Sequence, residues 1–328
     1  MNLKNKSIVV TGGAGFVGSH LVDRLIEESP KEITILSNFF LGRIENLKDA
    51  FRKTCTIKEV ETEVKIRILD LSTREEVLLF LDWNRPDVVF NLAVVPLPTS
   101  LEKPEWTVNQ NISMTLNLCE ALRLGKFSKL IQFSSSEVYG STIASPMRED
   151  HPVNPTTPYG ASKLATDHIA LSYSKTFGCD VSVIRPFNIY GPRQNMGKYA
   201  GLIPLTVCNI LAGTPIFING DGEQTRDYTY VTDIAEAAIR ICENPETKGK
   251  IVNIGSGKEL SINNIVKTIA SYMEYTGEII HREGRPGEVS RLVADISLAK
   301  KLIEYVPKVD FDIGIKNTID WYKEVVKC

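Results

Sequence analysis

The stretch "SIVVTGGAGFVGSHL", Ser7 to Leu21, constrains the fold more than any other. A short apolar run ends at about Thr11, glycines follow at Gly12, Gly15 and Gly18, and an amphipathic pattern begins near Phe16. Glycine permits the tight turn and lets backbone N–H groups approach a diphosphate at the positive end of the following helix. A glycine pattern alone is weak, since a plain strand-to-helix turn looks the same. Here a strand precedes it, a helix follows and a second strand lies beyond, which is the setting in which G-x-x-G-x-x-G binds a dinucleotide.

The pattern continues. Short apolar runs, "SIVVTG", "EITILS", "VKIRIL", "DVVFNLA", "KLIQFSS" and "DVSVIRP", alternate with helical stretches at Val17–Glu28, Thr73–Trp83, Trp106–Arg123 and Tyr159–Phe177. Apolar runs with little polar alternation suit strands buried on both faces, hence an α/β fold with a doubly wound parallel sheet. After Pro186 the chain becomes irregular and rich in Gly, Pro and Asn. A strand "PIFING", a helix from about Thr232, a strand "KIVNIGSG" and a helix over Ile262–Tyr275 follow. The expected division is a dinucleotide-binding domain over 1–186 plus about 226–256, and a smaller, discontinuous substrate lobe over 187–225 and 257–328.

Composition excludes several classes of function. A formal charge of -2 over 328 residues gives no electrostatic reason to bind nucleic acid or an anionic membrane. No apolar run approaches the length of a membrane span, and the N-terminus lacks the basic-then-apolar pattern of a leader. Six cysteines (Cys55, Cys119, Cys179, Cys208, Cys242 and Cys328) and four histidines are scattered, with no spacing that suggests a metal site. A cytoplasmic enzyme with reduced thiols and no metal is the expectation.

A site specific for the 2′-hydroxyl of NAD usually carries an acidic residue at the end of the second strand. Here "ILSNFFLGR" places Ser37 and Asn38 there instead, with Arg43 nearby. NAD is the expected cofactor, and NADP stays open. Asp70, ending the third strand in "RILDL", is placed to reach the adenine.

"TPYGASKLATDHIA" sets Tyr159 and Lys163 four apart at the start of a helix, so both project from one face. A phenol, with an ordinary pKa of about 10, is a poor base near neutrality unless a neighbouring positive charge favours its phenolate. Y-x-x-x-K alone is common in amphipathic helices; it gains weight by following a nucleotide turn and the Ser-rich strand end "QFSSSEVYG". In that strand end Glu137 is read either as a base or as the cap of a turn.

The ordered set "TGGAGFVG", "NLA", "FSSSEVYG", "YGASK", "RPFNIYGPRQ", "TRDYTYVTD" and "RPGEV" resembles the extended short-chain dehydrogenases/reductases, in their nucleotide-sugar 4-epimerase and dehydratase group, over essentially the whole chain. The resemblance implies a Rossmann sheet and a hydroxyl–tyrosine–lysine set of Ser135, Tyr159 and Lys163. It implies cofactor contacts from Gly12, Gly15, Phe16, Val17, Gly18, Asn38, Asp70, Leu71, Leu92, Ala93, Tyr159, Lys163 and Pro186, with Asn111 helping to hold the site together. Substrate contacts are implied for Ser136, Asn188, Leu202, Phe217, Arg226, Arg285, Glu288 and Leu292. Arginines suit a diphosphate because guanidinium donates in bidentate fashion.

By the same resemblance Tyr159 takes the C4 hydroxyl proton of a sugar, Ser135 donates to the same oxygen, and Lys163 holds the ribose. A 4-keto sugar results, on which 4-epimerases, 4,6-dehydratases and uronate decarboxylases diverge. Simple epimerisation needs no further carboxylate, whereas dehydration needs Glu137. The run Ser135-Ser136-Glu137 resembles the Thr-Ser-Glu run of mannose-nucleotide dehydratases and uronate decarboxylases and lacks the aspartate of the dTDP-glucose dehydratases, while the C-terminal half is similar to UDP-sugar epimerases. A UDP-sugar 4-epimerase is therefore expected, with a dehydratase or decarboxylase as the alternative and a non-catalytic NAD(P) sensor as a remote one. Leu292 falls at the position that gates substrate size in the epimerases. Helices Trp106–Arg123 and Tyr159–Phe177 carry apolar residues beyond one face, so a homodimer is expected.

Overall fold

The computed structural model describes residues 1–56, 62–284 and 289–326. Seven strands form its central sheet: β1 (Ser7–Thr11), β2 (Glu32–Leu36), β3 (Glu63–Arg67), β4 (Val88–Asn91), β5 (Lys129–Phe133), β6 (Asp180–Pro186) and β7 (Ile251–Ile254). All pairings are parallel, in the order β7-β6-β5-β4-β1-β2-β3. The order reverses between β1 and β4, and the crevice at such a switch point is where ligands bind in open α/β sheets.

The helices that cover the sheet explain why its strands read as unbroken apolar runs. Ile8 and Val10 of β1, Phe90 of β4 and Ile131 of β5 bury one face against α1 (Phe16–Glu27) and α5 (Val231–Glu243). Val9, Val89 and Leu130 bury the other face against α2 (Arg74–Asn84), α3 (Pro104–Arg123) and α4 (Pro158–Phe177). In β1, β4 and β5 alternate residues thus enter two different cores, whereas the edge strand β3 leaves Glu63 and Arg67 exposed.

A third core lies outside the sheet, where Tyr190, Ile203, Val207, Ile216, Ile218, Ile265, Ile269, Ile315 and Tyr322 meet. Short strand pairs frame it: Asn188–Tyr190 beside Tyr228–Tyr230, and Ile216–Asn219 beside Ile279–Arg282. Thr225–Arg226 lies between Leu260–Ser261 and Arg291–Leu292. Arg193 ties this region back to α1, reaching Asp23 and Asp49 at 2.7 Å each. No helix among the described residues is long and apolar enough to cross a membrane.

Candidate active site

The glycine turn is tight for steric reasons that the backbone makes plain. Gly12 adopts a φ of 66°, and a Cβ on Gly18 would stand 2.3 Å from the Gly12 carbonyl oxygen. Helix α1 therefore starts almost in contact with the turn, with its first N–H groups facing the crevice. Beneath it a buried polar chain joins three strand ends. Thr11 donates to Asn91 Oδ1 at 2.7 Å, Asn91 donates to Gln132 Oε1 at 2.8 Å, and the N–H groups of Leu92 and Ala93 donate to Thr11 Oγ1.

This floor opens into a cavity of about 420 Å³ lined by Gly12, Gly15, Phe16, Val17, Gly18, Asn38, Asp70, Leu71, Leu92, Ala93 and Pro186. Ser135, Tyr159 and Lys163 line the same cavity. A cradle that any side chain would fill, a helix N-terminus behind it and a largely apolar lining together fit a dinucleotide.

Helix α4 brings the tyrosine and lysine to this wall. Thr157 caps it, accepting from the Gly160 N–H at 3.0 Å, and Pro158 occupies its first turn. A Cβ on Gly160 would come within 2.7 Å of the Glu137 carbonyl oxygen, so only glycine lets the helix start press against the segment after β5. That contact sets Tyr159 beside Ser135 on the cavity wall. Burial pushes the Tyr159 phenol up to about 12, with the neighbouring Ser135 hydroxyl pulling against it and the Glu137 and Asp167 charges adding to it. Lys163 is buried and donates to the Phe133 carbonyl at 2.6 Å. Burial lowers its ammonium to about 8, opposed by the Asp167 charge one turn further on.

Ser135, not Glu137, caps the short turn Ser136–Val138: its Oγ accepts from the Glu137 N–H at 3.2 Å. The Glu137 side chain is half-buried and does not line the cavity. Burial raises its carboxyl above the usual range, and the positive charge of Arg226 draws it back.

Asn111 stands behind the wall, accepting from the Val95 N–H and donating to the Ser162 hydroxyl. Ser136, Asn188, Leu202, Phe217 and Arg226 also lie outside the cavity lining. Leu292, expected at a gate, has no exposed surface and packs in the core under the sheet, opposite Arg226 in the register of their strands. Asp70 sits in the loop three residues beyond the end of β3 instead of ending the strand. Arg285 and Glu288 lie outside the described residues. Ser134, Phe187, Phe40 and Trp106 also line the cavity, although nothing in their spacing singled them out.

A dinucleotide cradle running into a serine, a tyrosine and a lysine on one wall is the arrangement of the extended short-chain dehydrogenases/reductases. The chain belongs to that family: the model for GDP-mannose 4,6 dehydratase matches residues 9–318. It is 33% identical over 317 residues to a UDP-glucose 4-epimerase of Mycolicibacterium smegmatis, spanning 96% of this chain and 98% of the relative. Its structure resembles that of a UDP-N-acetylglucosamine 4-epimerase from Methanobrevibacter ruminantium M1 in complex with UDP-N-acetylmuramic acid, with a TM-score of 0.88 and 33% identity over 98% of this chain and 99% of the other. A UDP-glucose 4-epimerase of Thermus thermophilus, solved in complex with NAD, gives a TM-score of 0.85 at 29% identity, covering 97% and 99%. Relatives at 30–32% identity also include a decarboxylase and a dehydratase.

Proposed function

We infer that this protein is an NAD-dependent nucleotide-sugar 4-epimerase acting on a UDP-hexose or UDP-N-acetylhexosamine through a 4-keto intermediate. The observation that carries the reading is the convergence of Ser135, Tyr159 and Lys163 on the cavity that starts at the glycine cradle. NAD held there by Gly12, Gly15, Gly18 and the α1 N-terminus supplies hydride acceptance from C4 of the sugar and its return. Tyr159 takes the proton of the C4 hydroxyl and gives it back, and Ser135 hydrogen-bonds the same oxygen. Because burial and the Glu137 and Asp167 charges leave the phenol weakly acidic, Tyr159 depends on nearby positive charge, which Lys163 one turn along the same helix face is placed to supply. Lysine has three donors, so the bond to Phe133 leaves two for the cofactor ribose.

Two features support 4-epimerisation: Ser136 precedes Glu137, so the aspartate of the dTDP-glucose dehydratases is absent, and epimerases are among the relatives and solved structures that span the whole chain. One observation favours a dehydratase or decarboxylase: the Glu137 carboxyl is raised by burial, as a proton-transferring group would be. Proton NMR in deuterated water separates them, with UDP-glucose, UDP-N-acetylglucosamine, UDP-glucuronate and GDP-mannose as substrates. A new C4 epimer without ring deuterium is expected. A 4-keto-6-deoxy product, or deuterium at C5 or C6, overturns it.

The reading includes a homodimer through α3 and α4, where Leu116 and Phe177 stay exposed. Sedimentation equilibrium at micromolar concentration should give the mass of two chains; the mass of one rejects the pairing.

A further inference from the structure

Three aromatic side chains from segments far apart in sequence meet at the mouth of the cavity. Phe40 comes from the loop after β2, Trp106 from the first turn of α3, and Tyr199 from the short turn Gly197–Tyr199 beyond the sheet. The Phe40 ring lies 5.8 Å from that of Trp106 and 6.0 Å from that of Tyr199, both tilted, so Phe40 joins the other two. Phe40 and Trp106 line the cavity and Tyr199 does not. An ion pair between Lys198 and Glu102 fastens the Tyr199 turn to the segment that leads into α3. Phe40 is 43% exposed and Trp106 41%, values high for large apolar rings, so burial in a core does not account for their placement.

We propose that Phe40, Trp106 and Tyr199 form a clasp across the mouth of the dinucleotide cavity and set how slowly the bound cofactor leaves. The proposal rests on the dinucleotide reading given above. An enzyme that reduces and reoxidises its cofactor within each turnover gains from slow release, and Phe40 lies just past the strand end where the adenosine half binds. Cofactor exit through this mouth separates rings held by favourable tilted contacts.

The test loads the full chain with the fluorescent analogue 1,N6-etheno-NAD and chases it with excess NAD. Phe40→Ala, Trp106→Ala and Tyr199→Ala should each release the analogue about tenfold faster, the size expected when one or two ring contacts are lost. Tyr199→Phe, which keeps the ring, should release at the unaltered rate and controls for folding. The decisive variant is Tyr199→Ala, because Tyr199 packs on Phe40 without lining the cavity itself. Unchanged release from it overturns the clasp even if the two lining variants leak. Failure of the unaltered protein to bind either nucleotide overturns the dinucleotide reading and the clasp with it; binding with unchanged release in all variants overturns the clasp alone.

Discussion

The Asp167 carboxylate and the Arg185 guanidinium meet at 2.7 Å, each side chain 1% exposed, and the same carboxylate oxygen accepts from the Ser134 hydroxyl at 2.7 Å. Asp167 lies one turn beyond Lys163 on α4, and Lys163 holds the carbonyl of Phe133. Adjacent residues at the end of β5 are thus gripped from one helix face, immediately before Ser135. Asp167→Ala should cost about 3–5 kcal/mol in urea unfolding, because it leaves the Arg185 charge buried without its partner. A loss below about 1 kcal/mol would show that the pair is not what holds this layer.

Tyr159→Phe removes one oxygen from the cavity wall. Turnover should fall by roughly 100- to 10,000-fold, the range for loss of a positioned acid–base group. Etheno-NAD binding should survive. Retained turnover would show that Tyr159 is not the acid–base group; binding without turnover in the unaltered protein would return the chain to the sensor class.

Glu137→Gln distinguishes the roles open to that side chain. Epimerisation predicts turnover within about tenfold of the unaltered protein, since the capping hydroxyl belongs to Ser135. A loss beyond about 100-fold, read on the same UDP-sugar, would make Glu137 a proton-transferring group.

Gly18→Ala tests the cradle. The added carbon would stand 2.3 Å from the Gly12 oxygen, and relief requires the turn and α1 to separate. Overpacking of this kind costs about 1–3 kcal/mol, so dinucleotide affinity by fluorescence titration should drop by roughly tenfold or more. Unchanged affinity would mean that the turn does not hold the diphosphate.

His20, on α1, touches the Pro192 carbonyl at 3.0 Å and sits beside the Arg193 ion pairs. Burial first, then the Arg193 charge, lowers its imidazole from 6.5 to about 4. The folded state therefore binds this proton less readily than the unfolded chain does. The contribution is fully present above about pH 6.5 and is lost as pH falls toward 4, amounting to about 3 kcal/mol. His20→Gln should flatten that part of the melting-temperature profile; an unchanged slope would place the acid sensitivity elsewhere.

The inner strands were legible because they are buried on both faces and so spell themselves as apolar runs, as "DVVFN" does around β4, while the edge strand β3, with Glu63 and Arg67 exposed, alternates. Likewise the glycine turn, Tyr159 and Lys163 were legible, since each lies within one turn of a strand or helix end. The placing of the expected substrate residues was not. Asn188, Leu202, Phe217 and Arg226, named through the resemblance alone, come from short pieces whose pairing depends on the third core, and no periodicity reports it. Leu292 looked like a gate in a linear reading because register with Arg226 and burial under the sheet are properties of the assembled strands. The role of Ser135 as cap was hidden for a simpler reason: a hydroxyl and a carboxylate two residues apart are equally good candidates until the backbone turn is seen.

The return of the chain to add β7 after building part of the third core has a practical meaning for anyone exchanging pieces between relatives. A hybrid cut once after Pro186 would import the donor's α5 and edge strand along with its new specificity, and both must then mate with a foreign sheet. Transferring selectivity alone calls for two separate grafts on either side of Val231–Ile254, with that native stretch left in place.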